Sequence, residues 1–254
     1  MNLTQLNPEQ KKAVKFVGGP ILIFAGAGSG KTRVLTHKIA YLIEDKGLPP
    51  EHILAVTFTN KAAKEMRERV CELLPHIPTD FIKMGTFHSI CAGILRKEIF
   101  RLGYTPGFTI YDQQDARALI KNIIKELNFS TQQFSPNAVN GFISKLKNNM
   151  VLASAYESEA NGYWEEKVVK IYFEYQKQLQ QNNAVDFDDL ILKTIEIFEK
   201  YPEVLQEYQQ KHQYILVDEY QDTNFIQSKW LNLLAEKHKN LCCVGDDDQS
   251  IYSW

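Results

Sequence analysis

Apolar residues along this chain fall into two kinds of run. Five are short, at 20–25, 52–58, 81–86, 213–218 and 241–245, and read as strands, with Ile21–Phe24 continuous in the manner of a buried parallel strand. Elsewhere apolar positions recur every three or four residues, which predicts helices over 31–45, 60–74 and 89–101. At Gly103 a turn, GYTPG, changes the character of the chain, and the next hundred or so residues carry helical periodicity with no strand signal. Within them Asp112 and Asp115 bracket a helix start, followed by Ala116, Ile120, Ile123, Ile124 and Leu127 on one stripe. Ser135 and Pro136 open a second helix bearing Val139, Phe142, Ile143 and Leu146. A third, over 163–179, aligns Trp164, Val168, Ile171, Tyr172, Tyr175 and Leu179, and Asp186 caps a last one that ends before Pro202. Strand-bearing blocks on either side of a strandless one predict an α/β domain built from residues 1–103 and 207–254. An all-helical subdomain, residues 104–206, is inserted between its third and fourth strands.

Each predicted strand ends at something chemically pointed, and in an open parallel sheet the carboxyl ends of the strands line the ligand crevice. The first ends in the stretch PILIFAGAGSGKT, residues 20–32. Its glycines at 26, 28 and 30 precede Lys31 and Thr32, so the order is strand, tight turn, helix start. Backbone N–H groups of such a turn and helix N-terminus converge on anionic oxygen. Lys31 can reach β- and γ-phosphates, and the Thr32 hydroxyl can ligate Mg²⁺. The stretch matches the nucleotide-binding P-loop, G-x-x-x-x-G-K-[ST], except at Ala25, where the smallest replacement for glycine stands. The candidate phosphate cradle is therefore Ala25, Gly26, Ala27, Gly28, Ser29, Gly30, Lys31 and Thr32. A flexible glycine-rich turn with a chance lysine is the bland alternative, and the register of strand, glycines and Lys-Thr argues against it.

The run YILV delivers Asp218 and Glu219 at its end. Alone, such a pair is usually a surface turn. Downstream of a P-loop, Asp218 can hold Mg²⁺ opposite Thr32, and Glu219 can orient and deprotonate an attacking water. The chain closes on VGDDDQSIYSW, residues 244–254. Successive aspartates there are usually solvent-facing or metal-binding, and the Gln249 amide can hydrogen-bond a γ-phosphate oxygen. Tyr252 and Trp254 can present two aromatic faces for stacking on bases, with core aromatics the equal alternative from spacing alone.

Composition narrows the setting. With 254 residues, 44% of them hydrophobic, the chain can bury a substantial core. No run of about eighteen apolar residues suggests a membrane span, and the opening MNLTQLNPEQKK lacks the apolar core of a signal peptide. The four cysteines form no C-x-x-C pair, which points to reduced thiols and a cytoplasmic protein. A net charge of −2 does not by itself advertise nucleic-acid binding, although the first 70 residues carry a surplus of basic side chains.

Seven segments, in order, resemble the N-terminal part of superfamily 1 DNA helicases of the UvrD/PcrA/Rep type. They are LNPEQKKAV (6–14), AGAGSGKT (25–32), AVTFTNKAAKEMRER (55–69), GTFHSI (85–90), VDFDDL (185–190), ILVDEYQDTN (215–224) and VGDDDQSIYSW (244–254). The resemblance implies a RecA-like, ATP- and Mg²⁺-dependent motor domain that acts on single-stranded DNA and single/double-strand junctions in repair or replication. Gln10 then resembles the glutamine that reads adenine, and Arg33 lies beside the nucleotide. Lys31, Asp218, Glu219 and Gln249 match catalytic positions, while Gln221 and Gln249 link γ-phosphate to DNA grip. Phe58, Asn60, Thr86, His88, Tyr252 and Trp254 match positions that touch single-stranded DNA. For Phe58 and His88, packing or capping is the competing reading. Relatives of this type continue into a second motor domain carrying arginine fingers, so these 254 residues alone are expected to bind Mg-ATP weakly, hydrolyse it slowly and not unwind DNA. A nucleotide-dependent single-strand-binding module and the helicase part of a helicase–nuclease are the alternatives.

Overall fold

The computed structural model describes residues 1, 3–26 and 28–246. In chain order the first stretch holds α1 (Pro8–Lys15), β1 (Ile21–Phe24), α2 (Lys31–Glu44), β2 (Ile53–Thr57), α3 (Asn60–Leu73), β3 (Lys83–Thr86) and α4 (Phe87–Glu98). The middle stretch holds β4 (Thr109–Tyr111), α5 (Gln113–Glu126), α6 (Pro136–Asn148), α7 (Ala153–Tyr156), α8 (Tyr163–Gln181), β5 (Ala184–Asp186) and α9 (Phe187–Lys200). The last holds α10 (Pro202–Lys211), β6 (Tyr214–Val217), α11 (Phe225–Ala235) and β7 (Leu241–Gly245). Contacts divide the chain into two compact units. One is Met1–Ile90 with the described residues from Tyr201 onward, and the other is Cys91–Lys200. The first division falls before the expected 103, inside α4, which follows β3 without a break, and the second falls between α9 and α10 rather than at the expected 206. Helix α4 begins directly at the end of β3 and runs through Ile90 and Cys91, so the GYTPG turn lies wholly inside the second unit.

The first unit is an α/β fold around a five-stranded sheet in the order β1-β7-β6-β2-β3. Every pairing is parallel, so all five strands point their carboxyl ends at one rim. Strands β2 and β6 lie inside the sheet, and every residue of both is buried, as their unbroken apolar sequences require. Leu35 and Ile39 of α2, Met66 and Val70 of α3, and Ala55, Leu216, Cys242 and Val244 of the strands share one core cluster. Strand β1 departs from expectation. Its apolar run predicts a strand buried on both faces, yet it pairs only with β7 among the described residues, and Leu22 and Phe24 are 48% and 59% exposed.

Local signals fix the helices of this unit. Asn7 and Gln10 close a reciprocal capping box at α1, whose first residue is Pro8. The Thr59 hydroxyl accepts from the Ala62 N–H to cap α3.

The second unit is mostly helical but not wholly so. Strands β4 and β5 pair in parallel, Thr109 with Ala184 through Tyr111 with Asp186, which corrects the expectation of an all-helical block. At three residues each, neither is long enough to show a period. The core of this unit joins Ile120, Ile124, Val139, Ile143, Val168, Tyr172 and Tyr175. Inside it Lys147 is fully buried between Asp186 at 2.6 Å and Asp189 at 3.0 Å. No helix of the described residues is long and apolar enough to cross a membrane.

Candidate nucleotide and nucleic-acid site

The turn after β1 works because two of its residues adopt backbone that side chains resist. Gly28 and Gly30 have φ of +74° and +89°, in the left-handed region that glycine enters without steric cost. A Cβ on Gly30 would also come to 3.0 Å from the Gln10 amide nitrogen. Ala25 hydrogen-bonds through its N–H to the Gly245 carbonyl at 3.0 Å, continuing the β1–β7 ladder, so its methyl group stands where the general P-loop pattern has glycine without breaking that bond. Helix α2 then starts at Lys31 with Gly30 as its cap, a residue that supplies no side-chain cap bond to the first N–H groups, which suits that end of the helix to an anion.

The strand order puts the chemistry of β1, β7 and β6 side by side. Lys31 Nζ lies 3.1 Å from Asp246 Oδ2 and 3.4 Å from Glu219 Oε2. Burial pulls the Lys31 pKa down, but the Asp246 hydrogen bond and the Glu219 charge outweigh it and hold the ammonium above its ordinary value. The Thr32 hydroxyl donates to Asp218 Oδ2 at 3.3 Å. Asp218 is only 4% exposed, and burial followed by the neighbouring Glu219 charge raises its pKa. Glu219 has φ +51° and ψ +45°, left-handed backbone at a residue with a Cβ, a strain of about 1–3 kcal/mol that concentrates at functional sites. Asp218 Oδ1 steadies this bend by accepting the Glu219 N–H at 3.1 Å.

Gln221 clips two strand ends together. Its Nε2 donates to Glu219 Oε2 at 2.8 Å, and its Oε1 accepts the Asp246 N–H at 3.0 Å. Gln10 is tied into the phosphate loop: Nε2 donates to the Ser29 carbonyl at 2.9 Å while Oε1 accepts the Asn7 N–H. Asp246, read from its run of aspartates as solvent-facing or metal-binding, is instead 1% exposed and paired with the lysine.

A cavity of about 760 Å³ opens over the loop and is lined by Gln10, Lys31, Thr32, Arg33 and Glu219, with His37 from α2 and Arg69 and Glu72 from α3. Those last three were not singled out from sequence. The available signal was helical spacing: His37 is one turn beyond Arg33, and Arg69 and Glu72 are neighbours on one α3 face.

The other end of the same rim carries the remaining candidates. Phe58 follows β2, is partly exposed, and meets Phe87 edge-on at 5.5 Å, which in turn meets the buried Trp230 at 5.8 Å. Asn60 is exposed at the start of α3. Thr86 ends β3 and caps α4, its hydroxyl accepting the Ser89 N–H at 3.2 Å, and His88 is partly exposed in the first turn. Ala27, Gln249, Tyr252 and Trp254 lie outside the described residues.

A parallel sheet whose edge strand runs through a glycine loop into a helix headed by Lys-Thr, with a buried aspartate at the end of an inner strand, defines the P-loop NTPase class of fold. Residues 6–254 match the UvrD/REP helicase N-terminal domain, and the chain belongs to that family. It is 52% identical over 252 residues to the ATP-dependent DNA helicase PcrA of Staphylococcus aureus, covering 99% of this chain and 34% of that protein. The protein of the same name from Bacillus subtilis is 51% identical over 252 residues, again with 99% and 34% covered. The chain thus spans about a third of the length of these relatives.

Proposed function

We propose that this chain is the ATP-binding motor domain of a DNA helicase, hydrolysing ATP where β1, β7 and β6 end and gripping single-stranded DNA where β2 and β3 end. One observation carries the reading: Lys31 and Thr32 reach Glu219 and Asp218, at 3.4 Å and 3.3 Å, across strands that sequence separates by some 190 residues.

The donor set suits Mg²⁺. Thr32 and Asp218 offer two hard oxygens at one point, and no group of three or more His, Cys, Asp or Glu able to hold a metal occurs among the described residues. Mg²⁺ takes few protein ligands and completes its shell with phosphate and water. Thr32 and Asp218 would hold it, and when bound it would neutralise charge on the β- and γ-phosphates. The chain's own residues do the rest. Lys31 supplies a point charge to the phosphate oxygens, and the glycine loop and first turn of α2 supply N–H donors. Glu219, 41% exposed and held by Gln221, orients the attacking water and takes its proton. Gln10 reads the adenine edge, Arg33 flanks the nucleotide and Gln249 contacts the γ-phosphate. Because Gln221 touches both Glu219 and the backbone at Asp246, a change at the phosphate end can reach the next strand.

At the other end Phe58, Asn60, Thr86 and His88 contact the DNA strand, and Tyr252 and Trp254 stack on its bases. The second motor domain of the longer protein and a single/double-strand junction are the partners this reading implies. Its thiols are free, which suits the reducing cytoplasm.

The deciding experiment is ATP turnover with and without single-stranded DNA. Stimulation by DNA that disappears in Lys31→Ala supports a motor. Nucleotide-dependent DNA binding with no stimulated turnover would replace it with a binding module.

A further inference from the structure

Helix α1 has only eight residues, too few to hold its shape unaided, yet it carries Gln10. Its N-terminus is fixed by the Asn7–Gln10 capping box. Its C-terminus is fixed by a side chain from another helix. Lys38, two turns into α2, is fully buried, and its ammonium donates to the carbonyls of Ala13 at 2.9 Å and Phe16 at 2.6 Å, with the Val14 carbonyl at 3.5 Å. Those carbonyls belong to the last turn and cap of α1, the groups a helix leaves without internal partners, and a cation there meets the negative end of the helix dipole. The same ammonium lies 5.6 Å over the Tyr214 ring at the start of β6. Burial draws its pKa below the ordinary lysine value, the cost of placing a charge where a leucine would otherwise fill space.

The bonds that immobilise Gln10 leave its amide usable. An amide has two donor hydrogens and two acceptor lone pairs. Ser29 takes one hydrogen and the Asn7 N–H takes one lone pair, so among the described residues one donor and one acceptor remain on an amide held in place. An adenine edge needs that pair.

We infer that Lys38 is a positioning residue for base recognition: by clamping the end of α1 it fixes the Gln10 amide against Ser29 and so sets the base preference of the site. This rests on Gln10 reading the base, as proposed above. The lysine therefore couples two parts of one site, since the helix that presents Lys31 and Thr32 to phosphate also locks the helix that faces the base.

The test compares Mg²⁺-dependent binding of ATP, ITP and inorganic tripolyphosphate by calorimetry in the wild-type chain, Gln10→Ala, Lys38→Met and Lys38→Arg. The wild type is expected to prefer ATP over ITP by about tenfold, the worth of one bidentate base contact. Gln10→Ala and Lys38→Met should both lose that preference, Lys38→Arg should keep it, and tripolyphosphate affinity should not change in the two Lys38 variants. A wild type or Gln10→Ala chain that contradicts this sinks the Gln10 reading, and the inference with it. Loss of preference in Gln10→Ala but not in Lys38→Met overturns the Lys38 inference alone. A parallel loss of tripolyphosphate affinity in Lys38→Met overturns it too, by showing a general structural role. Should Lys38→Met not fold, Lys38→Gln carries the same comparison, and failure of both to fold makes Lys38 a residue of the core and overturns the inference.

Discussion

Lys31 Nζ and Asp246 Oδ2 stand 3.1 Å apart although 215 positions separate them in the chain. In the proposed site an incoming phosphate oxygen would have to share or take over an ammonium that a buried carboxylate already engages. Asp246→Asn removes the competing charge and keeps the shape. Binding of inorganic tripolyphosphate should tighten roughly fivefold, the scale of about 1 kcal/mol for one charge contact. Equal or weaker binding, measured by calorimetry, would show that Asp246 does not oppose phosphate.

Gln221 makes a different demand. Its amide joins the Glu219 carboxylate to the Asp246 N–H, so Gln221→Ala frees the carboxylate that faces water without touching the phosphate loop. ATP turnover should fall about tenfold or more while KM stays within about twofold, the signature of an interaction used in the transition state rather than in binding. A rise in KM at unchanged turnover would place Gln221 in substrate binding instead.

Four of the sheet strands are legible as short apolar runs bounded by polar or glycine residues, whereas β3, Lys83–Thr86, carries a lysine and a glycine within its span. What each strand touches is not legible. The apolar residues of β1 look like those of β2, yet Leu22 and Phe24 are exposed and the β2 residues are buried, because burial depends on neighbours far along the chain. Strands β4 and β5 were missed since three residues carry no period. In the candidate site, the loop and the Asp-Glu pair are legible as candidates from residue type and order. Asp246 is not, since a run of aspartates ordinarily signals solvent. Lys38 looks like any lysine on a helix, and only the proximity of α1 gives it a task.

Acid should destabilise the first unit through His212. The ring is buried, its Nδ1 has no hydrogen-bond partner among the described residues, and burial, then the charges of Lys211, Lys83 and His52, push its pKa down to about 4. The unfolded chain protonates this ring near pH 6.5 while the folded chain leaves it neutral, so the unfolded state binds more protons between those values. Stability is therefore full above pH 6.5 and is lost as pH falls toward 4, by on the order of 3 kcal/mol. Urea unfolding across that window should show His212→Leu with a visibly flatter pH dependence. An unchanged slope would mean that the ring is charged in the fold or that other groups dominate.

In the proposed site the Thr32 hydroxyl and the Asp218 carboxylate, 3.3 Å apart, would hold one metal ion together. A double-mutant cycle tests it most directly, with Mn²⁺ affinity in the presence of ATP measured for the wild type, Thr32→Val, Asp218→Asn and the double variant. Two ligands of one ion should be coupled, with the double variant losing less than the two single losses summed, by more than about 1 kcal/mol. Simple additivity would mean that the two residues do not share an ion, and the nucleotide site drawn here would be wrong.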